Sequence, residues 1–164
     1  MDQSVDVRER IMTTSLDTVE ALTLKGQIAM PYTWWVGEVG SRFLIALRDD
    51  AKILGNSCSQ CGKVYVPPRM NCGDCFSDIT QWVELSNEGF VIAHTIVRFS
   101  YPLHPAAPPF AYAIIKLDGA DVGFAHIIKD DLGKLRNNVR VRARFKDKAH
   151  RTGHILDIES FQII

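Results

Sequence analysis

The sequence predicts a mainly β protein with N-terminal helices, in which a four-cysteine ribbon precedes a small β-barrel. Three observations carry that expectation. Two Cys-x-x-Cys pairs, Cys58/Cys61 and Cys72/Cys75, are joined by a ten-residue connector and use every cysteine of the chain. Short β-forming runs punctuated by turn residues crowd the C-terminal half. Helical spacing of apolar residues is confined to roughly the first fifty positions. The implied organisation is a helical arm over residues 1–52, a ribbon over 53–78 and a barrel over 79–164.

Taken in order, Val7 to Leu24 carries scattered apolar positions (Val7, Ile11, Leu16, Val19, Leu22) that fit a helix. Pro31 interrupts, and the aromatic cluster Tyr32, Trp34 and Trp35 follows. From about Glu38 to Lys52, Val39, Phe43, Leu44 and Leu47 recur at helical spacing, and the helix should end near Gly55. An apolar stripe carrying Phe43 and Leu47 must pack on something, because its exposure to water is costly.

The cysteine pattern C-x2-C-x10-C-x2-C presents four thiolates as two close pairs, which suits a tetrahedral Zn2+. Iron in a rubredoxin-like site is the nearest rival, since an all-sulfur tetrahedron suits both metals. Two disulfides are the other reading, but MDQSVDVRER lacks the apolar region of a signal peptide, so a cytoplasmic protein is expected. Four cysteine ligands leave no open coordination position, which makes the metal structural. Gly62 supplies turn freedom after the first pair, and Gly73, inside the second, suggests a related role. Val64, Tyr65 and Val66 form a short strand that Pro67–Pro68 stops.

In the barrel zone, Trp82 to Leu85, Gly89 to Phe99 and Phe110 to Leu117 read as strands, and Asp118-Gly119 before Asp121 to Ile128 reads as a hairpin. Val139, Val141, Ala143 and Phe145 alternate with Arg140, Arg142, Arg144 and Lys146, a strict period of two with one apolar and one basic face. Ile155 to Ile163 supplies the last strand. Five or six short antiparallel strands in about 85 residues favour a small barrel. Ser100 to Pro109, with four prolines, is a semi-rigid loop.

Composition narrows function. Hydrophobic content of 46% and charged content of 23% belong to a globular protein, and 19 basic against 19 acidic residues predict no partner from net charge. No apolar run approaches the ~20 residues that span a bilayer. Between Lys134 and Arg151, however, there are eight basic residues and one acid. A solvated strand face accounts for Arg140, Arg142 and Arg144 without any ligand; coenzyme A phosphates or an acidic partner surface are the functional alternatives. With every cysteine assigned to metal there is no spare thiol nucleophile. The histidines (His94, His104, His126, His150, His154) are scattered, and no nucleophile elbow or phosphate loop is present.

The order of helix, ribbon and barrel, with the stretch KILGNSCSQCGKVYVPPRMNCGDC, resembles an acyl-CoA-associated family that joins an N-terminal helix, a rubredoxin-like zinc ribbon and an OB-fold. The C-x-x-C-G knuckle, the run Val66 to Arg69, the second C-x-x-C and the late Val141-Arg142-Ala143-Arg144-Phe145 carry the likeness from about Tyr32 onward. The resemblance implies a non-catalytic accessory subunit that docks on a thiolase-like or related acyl-CoA enzyme as a hetero-oligomer. It also implies that the subunit sometimes completes the acyl-CoA channel, including for unusual or aromatic acyl groups. Cys58, Cys61, Cys72 and Cys75 are its metal ligands; Arg140, Arg142 and Arg144 are the candidates for coenzyme A or partner contact. The competing class is a single-strand nucleic-acid-binding module, since OB barrels bind strands with a positive groove and stacked aromatics. Near-zero net charge and barrel aromatics in apolar surroundings speak against it.

Overall fold

In a computed structural model, the described residues are 22–24, 26 and 30–164. The helix expected over Val7–Leu24 lies outside them, apart from Leu22–Leu24, which carry no regular structure. The chain divides into two units, Met1–Trp34 and Trp35–Ile164, and the second holds all the helices and strands described.

Helix α1 spans Gly37–Asp50 and buries Phe43, Ala46 and Leu47. Its stop is sharper than the sequence suggests. Ala51 adopts a left-handed conformation (φ 54°) and its N–H donates to the Ala46 carbonyl, a helix-ending geometry that returns an orphan carbonyl its partner. The chain can then extend at once. Ile53–Ser57 is strand β1, where the sequence had suggested continued helix to Gly55. The strand was hidden because ILGNS has neither alternation nor many β-branched residues, and three of its five residues are buried.

Strand β1 is the centre of a three-stranded sheet between β2 (Val64–Tyr65) and β3 (Gln81–Leu85). The strand carrying Trp82 thus pairs with the ribbon, in register Ile53 to Leu85 through Ser57 to Gln81. A side chain at Gly55 would meet the Tyr65 carbonyl oxygen at 2.7 Å, so a glycine lets the sheet close there. Arg42 of α1 stacks over the Trp82 ring at 4.4 Å, and Lys52 pairs with Glu84.

The remaining strands, β4 (Glu88–Val97), β5 (Phe110–Leu117), β6 (Phe124–Ile128), β7 (Arg140–Phe145) and β8 (Ile158–Ile163), close a barrel in the order β4-β5-β6-β8-β7. This is the OB-fold connectivity. Four pairings are antiparallel, but β6 and β8 run parallel, a departure from the all-antiparallel barrel expected. The first part of the run expected as β6, Asp121 to Gly123, lies outside the strand. Asp121 instead ties the ribbon to the barrel: its carboxylate accepts from the Val64 N–H at 2.8 Å, and its own N–H donates to the Val64 carbonyl at 3.0 Å. Ile155–Asp157, expected as strand, is a 3-10 turn capped by His154.

One core joins these parts. Phe43 and Leu47 of the helix, Ile53 and Leu85 of the ribbon sheet, Val66 just after β2, and Val91, Ile115, Leu117, Val141 and Phe161 of the barrel form a single buried cluster. No helix among the described residues is long and apolar enough to cross a membrane.

Candidate metal centre and barrel surfaces

The four cysteines converge. All their sulfurs lie within 4.8 Å of one another, and the Cys61 and Cys72 sulfurs are 3.6 Å apart. A tetrahedron with Zn–S distances of ~2.3 Å has edges of about 3.8 Å, so the donor set fits a zinc ion. Each pair sits in the same backbone turn. In the first, the Cys58 N–H donates to the Lys63 carbonyl at 3.0 Å and the Gly62 N–H to the Cys58 carbonyl at 2.9 Å. In the second, the Cys72 N–H donates to Ser77 at 2.9 Å and the Phe76 N–H to Cys72 at 3.0 Å.

The equivalent of Gly62 is therefore Phe76, and the role suggested for Gly73 falls three residues later. Gly62 has φ 75° and Phe76 φ 58°. Gly73 has no left-handed backbone; its N–H donates to the Tyr65 hydroxyl at 3.0 Å.

Surrounding groups polarise the sulfurs. Tyr65 places its hydroxyl 3.3 Å from the Cys72 sulfur, and Ser77 places its own 3.3 Å from that of Cys58. The Tyr65 hydroxyl, aided by the N–H groups of Cys75 and Asp74, draws the Cys72 thiol down to about 6. Contact with the Cys61 sulfur, then burial, then the Cys72 sulfur push Cys75 up to about 12. Sulfurs this close cannot all ionise unaided, and a dication is what neutralises them. Cys58 and Cys72 are fully buried, with Tyr65 and Ile79 packed against them. Once bound, Zn2+ would cross-link both knuckles and leave no position for substrate.

The basic strand looks different in place. Arg140 forms ion pairs with Asp118 at 2.7 Å and Glu88 at 3.1 Å, Arg142 with Glu88 at 2.6 Å, and Arg144 with Glu159 at 3.0 Å. Arg142, with Arg140, holds the Glu88 carboxyl below its ordinary range. Local pattern could not reveal these partners, because Glu88 lies 52 and 54 residues from Arg140 and Arg142, and Asp118 lies 22 from Arg140.

Four histidines have visible local roles. His94 Nδ1 lies 3.2 Å from the Asn137 side-chain oxygen. His126 is buried between Phe124 and Phe161, its pKa lowered by burial. His154 accepts from the Leu156 N–H in capping the 3-10 turn. His104 is boxed by Phe99, Tyr101 and Phe110. His150 lies on an open cleft with Lys129, Arg144 and Lys146.

On the outer face of β4, β5 and β6 runs a shallow groove of about 210 Å3, lined by Ala93, His94, Thr95, Tyr112, Ile114 and Ala125 along with the backbone-flanking Ala113. No lysine or arginine lines it. A bulge after Val91 adds Ile92 to this surface. A side chain at Gly123 would strike both Ile92 and Ile114 within 3 Å, so these apolar groups form one continuous patch. Phe99, Tyr101 and Leu103 of the following loop are exposed as well.

Comparison with known proteins agrees with this geometry. A family model for the ChsH2 rubredoxin-like zinc ribbon domain matches residues 47–81. One for the ChsH2 C-terminal OB-fold domain matches residues 82–146. A crystal structure at 1.80 Å of a DUF35-family protein of unknown function from Sulfolobus solfataricus is similar in fold, with a TM-score of 0.58. It shares 24% identity, with 78% of this chain and 83% of that one covered. An Ltp2–ChsH2 (DUF35) aldolase structure has a TM-score of 0.52 and 19% identity, covering 69% of this chain and 87% of that one. With contiguous matches over residues 47–146, four convergent cysteines and OB connectivity, the chain belongs to the ChsH2-type family that couples a rubredoxin-like zinc ribbon to an OB-fold domain.

Proposed function

We propose that this chain is a non-catalytic accessory subunit that docks on a thiolase-like catalytic subunit acting on acyl-CoA thioesters. The observation that carries the reading is the apolar character of the barrel's outer face. OB-folds use the face of their second and third strands, here β5 and β6, to receive ligands. In this chain that face presents Ile92, Tyr112, Ile114 and Ala125, with Phe99, Tyr101 and Leu103 beside it. Continuous exposed apolar surface of this kind marks a protein interface. It is ill suited to a nucleic-acid backbone, which requires free cations.

Three further points support the reading. The four cysteines form the ribbon cluster, which leaves no thiol for acyl transfer. Met70 and Phe76 on the ribbon, and Tyr32, Trp34 and Trp35 before the helix, are exposed side chains of the types enriched at interfaces. The similar structure is described as an aldolase composed of Ltp2 and ChsH2. In this reading the ribbon and the N-terminal segment supply part of the docking surface. Contact of Arg140, Arg142 and Arg144 with coenzyme A would require them to exchange Asp118, Glu88 and Glu159 for phosphate oxygens.

The test is a tagged pull-down from native lysate with mass spectrometry and a metal assay. Recovery of a thiolase-like protein in fixed ratio, with one zinc per chain, is expected. Recovery of nucleic acid, or of no enzyme, would overturn the reading.

A further inference from the structure

The end of β6, strands β7 and β8 and the loop between them border a second, open cleft of about 440 Å3, lined by Lys129, Arg144, Lys146, Asp147, His150 and Glu159. We propose that this cleft binds a phosphate group, the chemistry shared by free phosphate compounds and by the phosphorylated ribose of a nucleotide-bearing ligand. The inference goes beyond partner docking and does not require it.

Four observations converge on it. First, the charges are available. Arg140 and Arg142 are engaged by acids, whereas Lys129, Lys146 and His150 have no acidic partner within 4.0 Å among the described residues. Arg144 is held by Glu159 at 3.0 Å, which orients it beside them. Three permanent cations and an imidazole against two carboxylates leave the lining net positive. Second, the open cleft, at about 440 Å3, has room for a phosphate group.

Third, the loop between the fourth and fifth barrel strands is one of the two that OB-folds use for ligands. Fourth, its backbone is ordered before any ligand arrives. Arg151 donates to the carbonyls of Lys146 at 2.9 Å and Arg48 at 3.1 Å. The Asp157 carboxylate accepts from the N–H groups of Thr152, Gly153 and His154. Preordering lowers the entropic cost of bringing flexible lysines to one anion.

Isothermal titration of the full-length, zinc-loaded protein tests this, with adenosine 3′,5′-bisphosphate, inorganic pyrophosphate and uncharged adenosine as probes. Both phosphates should bind and adenosine should not. Lys129→Gln and Lys146→Gln should each weaken binding about tenfold, the loss of one charge-assisted contact. Asp147→Asn should strengthen it, because an anion no longer meets that carboxylate. Lys52→Gln, outside the cleft and paired with Glu84, should change nothing. A bisphosphate preferred over pyrophosphate assigns the site to a nucleotide handle, and equal affinities assign it to phosphate alone. Failure of either phosphate to bind at millimolar concentration, or a Lys52→Gln loss as large as that of Lys146→Gln, overturns the proposal. Lys146→Gln should still capture the catalytic partner, so this test and that of the docking reading fail separately.

Discussion

Gly62 and Phe76 occupy the same position in two copies of one turn. Each follows the second cysteine of its pair, each has a positive φ (75° and 58°), and each donates its N–H to the carbonyl of the first cysteine. The backbone conformation is free for glycine and costs an L-residue about 1–2 kcal/mol. Phe76 bears that cost while it is 82% exposed, so no packing among the described residues offsets it. Strain held at an exposed aromatic points to a role outside the fold.

Phe76→Gly should therefore raise stability, by about 0.5–1 kcal/mol, while weakening partner capture. Gly62→Ala should lower stability by about 1 kcal/mol through backbone conformation alone, since nothing lies within 4 Å of the added carbon. Thermal melts of the zinc-loaded variants read both signs. A destabilised Phe76→Gly would show that the ring packs in solution after all.

Cys72→Ser should abolish zinc retention and melt the ribbon, because the metal's binding free energy is folding free energy. Metal analysis after gel filtration should fall from one zinc per chain to none. Tyr65→Phe, which removes only the hydroxyl 3.3 Å from the Cys72 sulfur, should keep the zinc but weaken its affinity about 10-fold or more. Competition with a chromophoric chelator measures the difference.

Asp157 links stability to pH. Burial would raise its pKa, but the N–H groups of Thr152, Gly153 and His154 outweigh that and hold it below the ordinary value. A depressed folded pKa means that its contribution is complete above the unfolded value near 3.9 and is lost as pH falls through the folded one. Asp157→Asn should cost about 2–3 kcal/mol at pH 7, because a buried amide group meets three donors. The deficit should shrink below pH 4. Urea melts across that range give the curve, and a deficit independent of pH would remove the charge from the account.

Ile114→Glu should leave the barrel folded, since its side chain is already 39% exposed. It should reduce capture of the catalytic subunit at least tenfold, by placing a charge in the centre of an apolar interface. Circular dichroism and quantitative pull-down separate the two effects. Unimpaired capture would move the docking surface off the barrel face.

The legible parts of this fold were those written in local periodicity. Phe110–Leu117 has the bounds that its β-branched and aromatic run suggests, and β7 follows from the alternation of Val141 and Ala143 with arginines. The metal ligands were legible because two knuckles repeat one spacing. Strand β1 was not, because burial on both sides removes alternation and its Gly55 and Asn56 read as loop. Asn56 is in fact fully buried and exchanges two hydrogen bonds with the Arg69 backbone. Nor could local pattern reveal that Asp121 would leave its strand to hold Val64, or that Glu88 would meet two arginines: those partners are brought together only by closure of the barrel. Aligning the two knuckles is what singles out Phe76, which stands opposite Gly62.

The two family domains meet between residues 81 and 82, and that junction falls inside β3, which spans Gln81–Leu85. A genetic exchange at this seam would cut a hydrogen-bonded strand and separate Leu85 from the Phe43, Leu47 and Ile53 that share its core. Ribbon and barrel thus share one strand and one core, and such an exchange is expected to unfold both. Recombination could graft the pair onto other chains, but neither half could be traded for a stranger's.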